Sequence, residues 1–145
     1  MKVAFRNLDV GPDRPVTEWP AEGVRAALER GDLREWRRLA EEIGADPWGR
    51  TARQVEEVLA SSRPYGVAEL IEGVIAAARK RAERKERAAV AAELKELVAS
   101  AAVTQAEFAR RIGTSASRMS SYVNGGVVPS AALMVRARNA ARLRG

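Results

Sequence analysis

Apolar residues recur at helical spacing along almost the whole chain, and the breaks between periodic stretches fall on capping and turn residues. PAEGVRAALERG predicts a short helix closed by Gly31. Asp32 and Glu35 form a D-x-x-E capping box, which predicts a second helix over DLREWRRLAEEIG, ending at Gly44. Asp46-Pro47 reads as an N-cap followed by proline at the first helical position, so the third helix starts at PWGRTARQVEEVLASS and closes at Ser61-Ser62-Arg63-Pro64. Val67, Leu70, Ile71, Val74, Ile75 and Ala78 mark one buried stripe of a further helix. The stripe fades through the charged run RKRAERKER and returns as Val90, Leu94, Leu97 and Val98. This predicts one long or slightly broken helix whose middle is a solvated connector, since Ala, Glu, Lys and Arg all favour helix. Upstream of all this, Val3, Phe5 and Leu8 alternate weakly before the turn signal Gly11-Pro12-Asp13, as an extended N-terminal arm would.

After the long helix the pattern shortens. Thr104 and Glu107 are spaced as a capping box at the start of TQAEFARRIG. Ala109 is small, as a close helix crossing requires, and Gly113 permits the positive φ of a sharp stop that redirects the chain. Met119 and Tyr122, three apart, turn one face of TSASRMSSYVNGG inward. These offsets are those of a tight helix-turn-helix, followed by a last helix over PSAALMVRARNAARL. If Thr114 caps the middle segment, Ser117, Ser121 and Asn124 lie opposite the Met119/Tyr122 stripe, with Ser120 and Arg118 on the flanks.

Charge sharpens the picture. The net charge is +6, but residues 1–78 carry 11 Lys and Arg against 14 Asp and Glu, whereas residues 79–145 carry 14 against 5. After Glu107 there is no further acid, while Arg110, Arg111, Arg118, Arg136, Arg138, Arg142 and Arg144 follow, a surface suited to phosphate. The excess of arginine over lysine, 21 to 4, together with abundant alanine, fits a GC-rich bacterial genome and is not itself read as function. Cysteine and histidine are both absent from the chain, which removes thiolate chemistry, the commonest general base and the preferred zinc ligands. No phosphate-binding glycine loop or nucleophile–base pair appears either, and Glu41, Glu42, Glu56 and Glu57 read as solvated helix faces. The expectation is a binding protein without enzymatic activity or cofactor. No apolar run approaches a membrane span, and MKVAFRNLDVGPDRP lacks an apolar signal region, so a soluble, cytoplasmic protein is expected.

The order of elements from Ala88 to Arg144 resembles the Cro/repressor-type (Xre-like) helix-turn-helix family. The resemblance rests on Gln105, Ala109, Gly113, Met119, Tyr122 and the Asn124-Gly125 stop, and residues 1–80 contribute nothing to it. It implies that Gln105 and Asn124 contact backbone phosphates, while Ser115, Ala116, Ser117 and Ser121 face base edges. This sequence departs from the family pattern at Gly126, where a lysine or arginine is common. Arg118 is the one long donor of the reading segment, either a bidentate guanine reader or, as the resemblance favours, a phosphate clamp. The candidate DNA-binding set is therefore Thr104, Gln105, Arg111, Thr114, Ser115, Ala116, Ser117, Arg118, Ser120, Ser121 and Asn124.

The fold expected is all-α: an N-terminal helical domain over 1–80, a charged helical connector over 81–87, and a lambda-repressor-like helix-turn-helix domain over 88–145. Serine-rich readout discriminates weakly per base, which favours a homodimer on a pseudo-palindromic double-stranded site. Two functions are carried forward. One is a transcriptional regulator acting as a repressor. The other is an antitoxin-like protein that binds a partner protein through residues 1–80 and autoregulates through its C-terminal domain. Trp19, Trp36 and Trp48, all in the N-terminal part, serve either as core or as a partner-binding patch.

Overall fold

A computed structural model describes Phe5 and residues 11–143, and among these residues the chain is all-helical. The predicted N-terminal arm, apart from Phe5, lies outside the described residues, as does Arg144. After a single 3-10 turn at Val16–Glu18 come seven α-helices, here α1 (Ala21–Arg30), α2 (Leu33–Ala45), α3 (Arg50–Ser61), α4 (Val67–Ser100), α5 (Gln105–Arg111), α6 (Ala116–Val123) and α7 (Ala131–Arg142). They form two compact units, Met1–Ala82 and Glu83–Gly145, and α4 contributes its first part to one and its second part to the other. No helix among the described residues is long and apolar enough to cross a membrane.

The first unit is built around Trp19, Val24, Leu28, Leu39, Ile43, Val55 and Leu59, all buried. Trp19 has no exposed surface; Phe5 meets its ring edge-on at 5.2 Å, the Arg38 guanidinium lies 4.9 Å from its centroid, and its Nε1 donates to the Arg14 carbonyl. The Phe5 ring also lies over Gly23, where a Cβ would come within 2.8 Å of it. Trp36 is half-buried with its Nε1 donating to the Ala27 carbonyl, whereas Trp48 is exposed and faces Arg79 at 5.8 Å. The tryptophans thus divide: Trp19 is core, and Trp48 is surface.

Both N-terminal bonds of the α2 capping box are formed, Arg34 N–H to Asp32 Oδ1 at 2.9 Å and Asp32 N–H to Glu35 Oε2 at 3.0 Å. The predicted start of α3 moves. Asp46 is spent ending α2, donating its N–H to Glu42, and the chain needs the turn Asp46–Gly49 before α3 begins at Arg50 with Gly49 as its N-cap. The α4 stripe also shifts. Ala68, Ile71, Ile75 and Ala78 are buried and Val67 and Val74 flank them, but Leu70 is exposed. Spacing of 3, 4 and 3 along α4 puts these four on one face and leaves Leu70 off it. Residues 83–89 of the same helix are all exposed.

The second unit packs Leu94 of α4, Phe108 and Ala109 of α5, Ile112, Met119 of α6, and Leu133, Met134, Ala137 and Ala140 of α7 into one core. Val90, Leu97, Val98 and Tyr122 border it.

Candidate nucleic-acid interface

The geometry of the interface begins at two chain reversals. At the end of α5, Gly113 has φ +79°; its N–H donates to Arg110 at 3.1 Å and the Thr114 N–H reaches back to Ala109 at 2.9 Å. Those two bonds make a Schellman stop. The same arrangement ends α6, where Gly125 has φ +81°, its N–H donates to Tyr122, and the Gly126 N–H donates to Ser121 at 3.0 Å. Both glycines therefore occupy backbone that other L-residues enter only at a cost of roughly 1–2 kcal/mol. Between the two stops lies the eight-residue α6.

The cap of α6 differs from expectation. Ser115, not Thr114, is the N-cap, its hydroxyl accepting from the Arg118 N–H at 3.1 Å. The Ser115 carbonyl accepts from the Met119 N–H, so the helix starts one residue later than a Thr114 cap would place it. The Thr104–Glu107 box is only half formed. Thr104 Oγ1 accepts from the Glu107 N–H at 3.1 Å, but the Glu107 carboxylate turns to Arg110 and, at 3.7 Å, to Arg111.

With α6 capped this way, Met119 is fully buried and Tyr122 is half-buried, fixing the rotation of the helix. Ala116, Ser117, Arg118, Ser120 and Asn124 are exposed, and Ser121 is half-buried with its hydroxyl 3.4 Å from the Ser117 carbonyl. Thr104, Gln105, Arg111 and Ser115 are exposed, and Thr114 is half-buried. The face opposite Met119 is thus a row of small hydroxyl and amide groups with one guanidinium beside it. Asn124 Oδ1 accepts from the Gly126 N–H at 2.8 Å, which directs the amide NH2 outward as a donor suited to phosphate oxygen. A Cβ at Gly126 would sit 3.0 Å from that oxygen, so this departure from the family pattern makes room for the Asn124 turn.

The arginines do not form one uniform phosphate surface. Arg110 and Arg111 pair with Glu107. Arg138 holds Glu93 of α4 through Nε at 2.7 Å and Nη2 at 3.4 Å, and Arg136 donates to the Ile112 carbonyl at 3.0 Å. The Arg138 guanidinium holds the Glu93 carboxyl below its ordinary range, and Glu93 raises Arg138 in turn. Among the described residues Arg118 has no side-chain partner, which leaves its donors available to a ligand. The Arg110 side chain is largely exposed and Arg111 meets Glu107 only at 3.7 Å, so both pairs are weak. Sequence reasoning placed Arg136 and Arg138 on the outer surface because their partners lie 24 and 45 residues away, beyond any local pattern.

Residues 89–144 match the family model described as a helix-turn-helix domain, the region for which the sequence resemblance stands. No curated protein and no solved structure matches the chain. The C-terminal region therefore carries a helix-turn-helix domain, and a domain of this kind points to a DNA-binding regulator.

Proposed function

We propose that the protein is a sequence-specific transcriptional regulator of the cytoplasm, a repressor that binds a pseudo-palindromic operator as a homodimer with α6 in the major groove. It acts by binding and not as an enzyme. The observation that carries the reading is the outer face of α6, where Ser117 and Asn124 stand exposed opposite the buried Met119, with Ser120 and Arg118 exposed on the flanks. Small side chains let a helix axis lie deep in the groove, where serine bonds either to donors or to acceptors on base edges and Ala116 meets a thymine methyl. Gln105 and Asn124 fix the register through phosphates, and Thr104, Arg111 and Arg118 border the same contact. Exposed Val127, Val128 and Val135 offer apolar surface in this unit for a second copy.

Selection of bound fragments from the source genome, followed by mobility shifts over a salt series, tests the proposal. The expected result is a two-fold-symmetric site and an affinity falling steeply with salt. Absence of salt-sensitive duplex binding by the intact protein sinks it.

The antitoxin-like reading remains as the second. The first unit has its own core and keeps Leu33, Trp48, Tyr65 and Leu70 exposed, a distribution that suits partner capture. A stoichiometric protein co-purifying from the native host favours it. A homodimer that alone saturates the operator counts against it.

A further inference from the structure

We infer that Arg136 of α7, which lies outside the reading helix, is a positioning residue that locks the bend between α5 and α6 and so sets the angle at which α6 meets DNA. The inference rests on the DNA-binding reading above and adds a residue to it. Arg136 Nη1 donates at 3.0 Å to the carbonyl of Ile112, the C-cap of α5. A helix-end carbonyl has no partner in its own ladder, and the carboxyl end of a helix favours a cation. The next residue is Gly113, and a Cβ built there would lie 3.3 Å from the same Nη1. The guanidinium therefore lies directly against the left-handed bend.

The two Schellman bonds close that bend locally, from the Gly113 and Thr114 N–H groups to carbonyls of α5. They do not tie it to any other element. The buried Ile112 and Met119 side chains hold it against the shared core, and Arg136 adds a polar tie from a helix fixed by the buried Leu133, Met134, Ala137 and Ala140 and by the Arg138–Glu93 pair. Without the tie, a tilt of ~10° at the bend moves the far end of an eight-residue helix by about 2 Å. Base-edge hydrogen bonds require heavy-atom distances within a few tenths of an ångström. Phosphate contacts by long flexible side chains tolerate such a shift. Loss of Arg136 should thus reduce specific binding more than non-specific binding.

The competing account is that Arg136 touches phosphate directly, and the two accounts differ in salt dependence. A duplex selected by the wild-type protein from random-sequence DNA and an unrelated duplex are titrated over a salt series with full-length wild type, R136A, R136K and R136Q. For R136A the ratio of specific to non-specific affinity is expected to fall roughly tenfold, as for a mispositioned base contact, with the salt slope unchanged. R136K keeps one donor for Ile112 and should recover most of the ratio. A drop in folded fraction alone lowers both affinities equally and leaves their ratio untouched; with that result the inference fails. It fails equally if the slope decreases by about 0.9 in R136A and R136Q, the sign of a lost phosphate contact. Should R136A melt below the assay temperature, R136Q carries the same comparison. If the wild type binds neither duplex, the regulator reading itself falls, an outcome distinct from both.

Discussion

Thr51 carries a hydroxyl into the first unit with 3% of its surface exposed, and among the described residues Oγ1 has no hydrogen-bond partner. A buried hydroxyl loses its water without compensation. Replacing it by the isosteric Thr51→Val should raise stability by about 1 kcal/mol, measured as a shift in the urea midpoint at constant slope. A destabilised variant would mean that the hydroxyl is satisfied in solution. At the other residue of interest, Arg118, the open alternative is resolved by salt. As a phosphate clamp, Arg118→Ala should lower the salt slope by about 0.9 without altering sequence preference, while Gln105→Ala, which removes a neutral amide, weakens binding and leaves the slope alone. As a guanine reader, Arg118→Ala relaxes preference at one base pair.

Helix starts and stops show where sequence is a sufficient guide. The Asp32–Glu35 box was legible because both partners lie within one turn, and the same holds for Gly113 and Gly125 as stops. Thr114 and Ser115 stand side by side as equally good caps, and only the backbone decides between them: the first helical bond of α6 runs from the Met119 N–H to the Ser115 carbonyl, so Ser115 caps α6. Ser115→Ala should therefore cost about 1 kcal/mol and Thr114→Ala distinctly less, as read from thermal melts. Asp46 ends α2 rather than capping α3, because its carbonyl accepts from the Gly49 N–H in a turn that delays the next helix to Arg50. Ion pairs between elements add a pH term. Arg138, Arg63 and Arg79 hold the carboxyls of Glu93, Glu72 and Glu56 below the ordinary 4.5. A folded value below the unfolded one gives stability that is present above about pH 4.5 and is lost as pH falls through the folded value. Melting temperature should accordingly drop on acidification from about pH 5 to about pH 3, and less so in Glu93→Gln. The pairs are exposed, so high salt should shrink the difference.

At the scale of the molecule, Glu83–Gly145 has its own core, Leu94, Phe108, Met119 and Met134 among others. A fragment over 83–145 should fold cooperatively and retain duplex binding in a mobility shift; an unfolded fragment would show that residues 1–82 are needed for its stability. The all-α architecture and the exposed face of α6 opposite Met119 were legible because helical periodicity and caps are local. The roles of Arg136 and Arg138 were not, because their partners are distant in sequence and only packing of α7 brings them together. One consequence follows from the two glycine stops that bracket α6. Eight residues span about 12 Å, which covers roughly four base pairs at ~3.4 Å each. Four fully read letters recur by chance about once in 256 positions, and a serine hydroxyl, able to donate or accept, distinguishes bases incompletely. If α6 reads DNA as proposed, such a ruler is too short to name one site in a genome, and specificity has to come from repetition, as paired half-sites or neighbouring sites.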